Sequence, residues 1–209
     1  MAANAPPRSV HLVGATLAVA LRYPAASPLR KPEFWVTLIA EKGGGPMERD
    51  HAYYMAQAVA LAQEAAADGD VPVGCVIVKD GEIVGRGRNR REAAGDATAH
   101  AELEAIREAC ARLGSWRLHD CTLYVTLEPC PMCAGGIINA RIPRVHYAVR
   151  EEKSGCCGSV LDLFWEGFNH RPQVFRGPLE EECEALLRDF FEQLRGGDSW
   201  RPPFSAGKI

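Results

Sequence analysis

The sequence has no long apolar run, no strong charge of either sign and no internal repeat. No apolar stretch reaches the roughly 18 residues that a membrane span requires, so we expect no membrane partner. The formal net charge of the 209 residues is −3. This value excludes a uniformly basic protein and restricts any nucleic-acid contact to a local patch. With 47% apolar and 24% charged residues, the composition is that of a globular chain.

The eight cysteines do not form a disulfide pattern. Cys130 and Cys133 are spaced as metal ligands, and most of the others lie in apolar runs as small buried residues would. The adjacent pair Cys156 and Cys157 is a poor candidate for a mutual bridge, and no role is predicted for it. A reducing, cytoplasmic location is therefore the simplest interpretation.

Composition divides the chain into three parts. Residues 1–46 contain six prolines and no sustained period, and we expect them to be disordered. Residues 47–197 are predicted to form one folded domain, and residues 198–209 a flexible tail. Two origins of the extension stay open: an over-called reading frame with Met47 as the true initiator, or a cleaved presequence, because no acidic residue precedes Glu33.

Hydrophobic periodicity outlines the elements of the domain. It predicts helices over 50–67, 98–113, 131–140 and 179–194, and strands over 71–79, 82–89, 121–127, 144–150 and 173–176. Residues 90–97 are predicted to be a loop. Strands that alternate with helices indicate a three-layer α/β fold, in which helices cover both faces of a mixed sheet of about five strands.

Two short segments carry the chemistry: His100-Ala101-Glu102 and Pro129-Cys130-Pro131-Met132-Cys133. Cysteines three apart in the first turn of a helix place both sulfurs on one side, where the positive helix end favours thiolates. An imidazole and two thiolates fill three corners of a zinc tetrahedron and leave the fourth for water, as in catalytic sites. We therefore predict one Zn²⁺ per subunit.

Glu102 is predicted to carry protons at this site. Zinc lowers the pKa of a bound water toward 7, and a neighbouring carboxylate can take its proton and help an amine leave. The spacing from His100 raises a geometric objection, because residues i and i+2 do not face each other on a helix. Both side chains would have to lean past the helix end into one cavity.

The segments around the motif point to a family. His-x-Glu followed by Pro-Cys-x-x-Cys is the signature of zinc nucleobase deaminases, and the chain resembles bacterial tRNA-specific adenosine deaminases from about residue 48 to 195. The resemblance implies a cytidine deaminase-like fold and a zinc-dependent deaminase domain. The segments that carry it are Val71–Cys75, Gly87–Asn89, Asp96–Glu102, Thr122–Gly135, Lys153–Gly155, Gly158–Ser159, Asn169–Arg171 and Asp189–Phe191.

The resemblance implies hydrolytic deamination of adenosine to inosine at the wobble position of tRNA-Arg. The implied assembly is a homodimer with the tRNA anticodon loop lying across both subunits. The implied roles are zinc ligation for His100, Cys130 and Cys133, proton transfer for Glu102, contact with the target nucleoside for Asn89, and proximity to the anticodon loop for Asn169 and His170. The chain departs from the family at Ala97, where a proline is usual, and at Glu192, where the family often continues with arginines. The second departure puts a C-terminal tRNA contact in doubt.

Two groups of basic residues flank the motif. We expect both groups to border the site and to track phosphates, with Arg90 and Arg91 as substrate contacts. A solvated strand and loop edge is the alternative for any single arginine. The first group is Arg86, Arg88, Arg90 and Arg91, and the second is Arg141, Arg144, Arg150 and Lys153.

Two other functions stay open at this point. A small-molecule purine or pyrimidine deaminase would need no basic rim and would act on a free base or nucleoside. A non-catalytic zinc module would bind the metal and hydrolyse nothing.

Overall fold

A computed structural model of the chain describes residues 50–196. The helices are α1 (His51–Ala67), α2 (Arg91–Ala94), α3 (Ala101–Leu113), α4 (Pro131–Ala140) and α5 (Glu180–Gly196). The strands are β1 (Gly74–Lys79), β2 (Glu82–Arg88), β3 (Thr122–Leu127), β4 (Arg144–Val149) and β5 (Gln173–Arg176). The predicted extension over 1–46, the start at Met47 and the tail over 198–209 lie outside the described residues.

The five strands form one mixed sheet in the order β2-β1-β3-β4-β5. β1 is antiparallel to both β2 and β3, whereas β3, β4 and β5 are parallel to one another. The predicted mixed sheet of about five strands is therefore confirmed. Because β3 and β4 are parallel, their carboxyl ends meet at one edge of the sheet, and the segments that follow them lie side by side.

Helices cover both faces of the sheet. Alternate residues of β1 point to opposite faces, as the pleat of a strand requires. Cys75 and Ile77 pack with α3 and α4, whereas Val76 and Val78 pack with α1 and Cys183 of α5. This arrangement gives the predicted three layers, and it places α3 and α4 next to each other on one face.

Two glycines of β2 bring α3 unusually close to the sheet. A Cβ atom on Gly87 would lie 2.0 Å from the Ala101 carbonyl oxygen, and one on Gly85 would lie 2.3 Å from the Ala105 carbonyl oxygen. Only glycine fits where two backbones approach so closely. The contact fixes the position of the first turn of α3, and therefore the positions from which the side chains of His100 and Glu102 extend.

A buried carboxylate changes one predicted loop into a helix. Asp70 is fully buried and accepts hydrogen bonds from the backbone N–H groups of Glu92 (2.7 Å) and Ala93 (3.1 Å). These are unpaired donors at the start of α2, so the carboxylate stabilises that short helix. The prediction of a loop throughout 90–97 was therefore wrong. A 3₁₀ turn over Leu163–Trp165 was also not predicted.

The two outer strands of the sheet differ in how they are covered. At one edge, the backbone N–H of Arg86 in β2 donates to Glu108 of α3 over 2.9 Å. At the other edge, β5 has four residues and follows Pro172.

Among residues 50–196, no helix is long and apolar enough to cross a membrane.

Candidate active site

The amino ends of α3 and α4 converge on one site. His100 is the N-cap of α3 and Cys130 is the N-cap of α4, and both have extended backbones with no side-chain hydrogen bond to the helix. Cys130 follows the carboxyl end of β3 after two residues, and Pro131 begins α4 at a position that proline favours. His100 is reached through the segment that follows β2.

The three predicted zinc ligands lie together. The Nδ1 atom of His100 is 3.7 Å from the Sγ atom of Cys130 and 3.6 Å from that of Cys133. Zn–S bonds of about 2.3 Å and Zn–N bonds of about 2.0–2.1 Å at a tetrahedral angle place sulfur and nitrogen about 3.6 Å apart. The spacing of this donor set therefore fits Zn²⁺, and Nδ1 is the histidine nitrogen that lies near both sulfurs, which the sequence did not specify.

The electrostatics of the three side chains also suit a cation. The hydrogen bond with the Cys133 thiol lowers the pKa of Cys130 to about 4, which favours the thiolate form of this sulfur. The hydrogen bond with Cys130 raises the pKa of His100 and of Cys133, and Cys133 thereby keeps a proton. A bound metal replaces such shared protons, which is why metal binding to thiols releases them.

Glu102 lies beside the cluster in the second position of α3. Glu102 is 3% exposed, and its carboxyl group lies near the Cys133 thiol. Burial raises the pKa of its carboxyl group, which suits a group that must both accept and donate a proton. The geometric objection disappears because His100 is extended rather than helical, so its side chain is not bound by the helical period.

The site belongs to a domain that known proteins share. The family model of the MafB19-like deaminases matches residues 49–195. A tRNA-specific adenosine deaminase of Bacillus subtilis (strain 168) is 48% identical over 143 residues, which cover 68% of this chain and 89% of that protein. A tRNA-specific adenosine deaminase of Streptococcus pyogenes serotype M18 (strain MGAS8232) is 47% identical over 147 residues, which cover 70% of this chain and 92% of that protein.

One similar solved structure comes from a study of A-to-I editing by tRNA:A34 deaminases at the wobble position of transfer RNA. It is 41% identical, has a TM-score of 0.63, and covers 65% of this chain and 99% of its own. The chain belongs to the tRNA-specific adenosine deaminase family. The predicted family and its cytidine deaminase-like fold are thereby confirmed.

The side chain that the family resemblance assigns to the nucleoside, Asn89, lies at the same edge of the sheet as the cluster. It is mostly buried. Its amide group donates to the Val71 carbonyl over 3.1 Å and accepts from the Arg91 N–H over 3.3 Å. One amide N–H and one acceptor position stay available to a ligand after these two bonds.

In the first basic group, Arg86 and Arg88 lie within β2, whereas Arg90 and Arg91 follow it and are paired close to the site. The Arg90 N–H donates to the carbonyl of Ala99, the residue before His100, over 3.0 Å. The Arg90 side chain lies 3.9 Å from Glu104, and that of Arg91 lies 3.4 Å from Glu92. These exposed pairs are weak, so a phosphate can compete for both guanidinium groups.

The structure separates Asn169 and His170 from the cluster. Asn169 accepts a hydrogen bond from Arg141, the C-cap of α4, over 2.7 Å. His170 hydrogen bonds to the Ile142 carbonyl over 2.8 Å. These contacts lie at the carboxyl end of α4, whereas Cys130 and Cys133 lie at its amino end, so both residues are placed at the end of the helix away from the predicted ligands of the same chain.

The expectation that the whole second basic group borders the site was wrong. Arg144 begins β4 and is in register with Thr122 at the amino end of β3. It therefore lies at the amino ends of the two strands, whereas the cluster lies beyond their carboxyl ends. Arg141 lies at the amino ends as well. Arg150 and Lys153 follow the carboxyl end of β4, which is the end of the parallel strands at which the cluster lies. The error came from treating nearness in sequence as nearness in space.

Sequence reasoning gave no role to one buried carboxylate next to the ligands. Glu128 is 2% exposed and lies between β3 and Cys130. It accepts hydrogen bonds from the backbone N–H groups of Glu151 (3.1 Å), Cys157 (2.7 Å) and Ser159 (3.2 Å), and from the Ser159 hydroxyl. A glutamate directly before a proline and a ligand cysteine was the only signal available.

Proposed function

We propose that this protein hydrolyses adenosine to inosine at the wobble position of tRNA, with Zn²⁺ as its cofactor. The observation that carries the proposal is the convergence of His100, Cys130 and Cys133 with the buried Glu102 in a chain of this family. The name of the Bacillus subtilis relative and the description of the solved neighbour both specify tRNA adenosine as the substrate of those proteins.

His100, Cys130 and Cys133 would hold the metal, since their ligand atoms lie within 4.8 Å of one another. When bound, Zn²⁺ supplies Lewis acidity that makes water a nucleophile at neutral pH. One ion per subunit satisfies the whole donor set. The two cysteines come from one helix end and the histidine from another, so the packing of α3 against α4 decides whether the site exists.

Glu102 would move the protons of the reaction. It accepts a proton from the attacking water and delivers it to a nitrogen of the purine ring while oxygen adds to the carbon that bears the amino group. It then carries the proton of the added hydroxyl group to the amino nitrogen, which leaves as ammonia when the C–N bond breaks and the C=O bond of inosine forms. Burial raises the pKa of this carboxyl group, which makes its carboxylate a better proton acceptor than that of an exposed glutamate.

A base in an anticodon loop suits this site, because it can be turned out without breaking a duplex. Asn89 would contact the target nucleoside, and Arg90 and Arg91 would contact phosphates next to it. Asn169 and His170 lie at the carboxyl end of α4, away from the predicted metal ligands at its amino end. In a homodimer, they would serve the RNA bound at the other subunit or a more distant part of the same loop.

Exposed apolar side chains support the proposed homodimer. Four large ones lie close together in sequence between β4 and β5 and are 42% to 60% exposed: Val160, Leu161, Trp165 and Phe168. Burial of such side chains against a second copy would stabilise the pair. The use of tRNA-Arg and a cytoplasmic location stay predictions of the same kind.

An activity assay separates this function from the alternatives. The zinc-loaded protein is incubated with an anticodon stem-loop that carries adenosine at the wobble position, and products are identified as inosine by nuclease digestion and mass spectrometry. The matched control carries its single loop adenosine one position away. Inosine in the first RNA alone supports the proposal. Turnover of free adenosine, guanine or cytosine instead would indicate a small-molecule deaminase, and no turnover of any substrate would indicate a non-catalytic zinc module.

A further inference from the structure

We propose that Glu128 is a positioning residue of the metal site, which acts by holding the 151–159 segment against the residue before Cys130. This inference rests on the zinc site of the proposed function. It adds a residue that neither binds the metal nor touches the substrate. Four hydrogen bonds and one close backbone contact carry it.

The Glu128 carboxylate is buried without a cationic partner among the described residues. Within the described residues, no lysine, arginine or histidine nitrogen lies within 4.0 Å of it. A buried carboxylate is costly unless it is hydrogen bonded. Both of its oxygens are used: Oε1 accepts from the N–H groups of Cys157 and Ser159, and Oε2 accepts from the Glu151 N–H and the Ser159 hydroxyl.

The 151–159 segment fits closely around this carboxylate. Gly155 lies so close that a Cβ atom on it would be 2.5 Å from the Glu128 carboxyl carbon and 2.4 Å from the Glu151 carbonyl oxygen. The segment is therefore wrapped around the Glu128 side chain. A larger residue at 155 would force the two apart.

One hydrogen bond links the 151–159 segment to the residue before Cys130. The Cys156 N–H donates to the Pro129 carbonyl over 2.9 Å. Cys156 precedes one of the residues that Glu128 holds, and Pro129 precedes Cys130. The direction in which the Cys130 sulfur points depends on where the Pro129 backbone lies, because Cys130 is an N-cap with an extended backbone. Glu128 thus acts on the ligand through the segment.

The carboxylate itself is required, rather than a side chain of its size. Glu128→Gln keeps one oxygen acceptor and turns the other into an N–H₂ group that faces donors. With the amide nitrogen at the Oε2 position, the Ser159 hydroxyl can turn and accept from it, but the Glu151 N–H faces a donor and loses its hydrogen bond. With the nitrogen at the Oε1 position, the bonds from the Cys157 and Ser159 N–H groups are both lost. Ser159→Ala removes a single donor and leaves the backbone bonds intact, so it is a milder change in the same network.

The experiment compares these two variants with a control of matched stability. Val59→Ala removes apolar volume from α1, on the face of the sheet away from the metal ligands, and lowers the thermal midpoint without touching the network. Zinc affinity is measured by competition with a chelator. The visible absorption of the Co²⁺-substituted protein reports the geometry of the thiolate ligands, and thermal melting reports stability.

We expect Glu128→Gln to weaken zinc binding by about tenfold and to alter the Co²⁺ spectrum. Ser159→Ala should shift both in the same direction by less, and it decides the matter if Glu128→Gln does not fold. Val59→Ala should melt earlier with unchanged affinity and spectrum. If the glutamate and serine variants melt earlier but match the wild type in affinity and spectrum, the role is merely structural and the proposal is overturned. A wild-type protein that binds no zinc would overturn the proposed function as well, which is a distinguishable result.

Discussion

The substitution Gly87→Ala adds one methyl group at the place where β2 meets α3. The new Cβ would lie 2.0 Å from the Ala101 carbonyl oxygen and 2.6 Å from the Ala105 amide nitrogen. Ordinary contacts begin at 3.4 Å, so α3 must move away from the sheet by 1.4 Å, the difference between 3.4 and 2.0 Å. Both neighbours are backbone atoms within a helix, and no side-chain rotation can relieve the clash.

This shift separates the two halves of the site. His100 and Glu102 move with α3, whereas Cys130 and Cys133 stay with α4. The distances from Nδ1 to the sulfurs, now 3.6 and 3.7 Å, would leave the range that a tetrahedral ion can bridge. We expect overpacking to lower the free energy of unfolding by about 1–3 kcal/mol. Deamination should fall by about 10²-fold or more, since a misplacement of about 1 Å has that effect.

The assay measures zinc content, thermal midpoint and inosine formation on the anticodon stem-loop. Val59→Ala is the control, because it removes apolar volume on the face of the sheet away from the metal ligands. That variant should melt earlier but match the wild type in zinc content and inosine formation. A Gly87→Ala protein with full zinc and near-normal turnover would refute the reasoning, since it would show that the contact between β2 and α3 does not set the position of His100.

Four further outcomes are expected. Glu102→Gln should keep zinc and stability but lose about 10²- to 10⁴-fold in turnover, and near-normal turnover would assign proton transfer to another group. Cys133→Ser should lose most of its zinc by metal analysis, and full occupancy would contradict the ligand assignment. Neutralising Arg90 and Arg91 together should reduce the salt dependence of RNA binding by about one unit of slope per lost phosphate contact, whereas an unchanged slope would make them a solvated edge. A chain that starts at Met47 should be fully active, and a large loss of activity would show that the extension contributes.

The sequence predicts most of the sheet and helices, because their apolar residues follow periods of two and 3.6. It also predicts the members of the candidate site, because the chemistry of a catalytic zinc requires a particular set of residue types. It does not predict α2, since that helix depends on Asp70, a residue 21 positions before its start. Nor does it predict the role of Glu128, whose partners follow the next strand along the chain.

The positions of basic residues show a second limit of sequence reasoning. Arg144 and Lys153 are nine positions apart, yet β4 lies between them and carries them to opposite edges of the sheet. The direction of β4 relative to β3 decides which of them borders the site. That direction is a property of the whole topology, so no local pattern could supply it.

The covering of β2 limits how this protein can associate with others. An outer strand with free N–H and C=O groups is a template on which a strand of another molecule can be added, and many such contacts lead to aggregation. Here Glu108 occupies the Arg86 N–H, and the arginines at 86 and 88 surround that edge with charge. The opposite outer strand is short and preceded by proline, which cannot donate to a growing ladder. Both routes for continuing the sheet into a second molecule are thus obstructed, and copies of this chain can meet through helices and connecting segments without the hazard of open-ended growth.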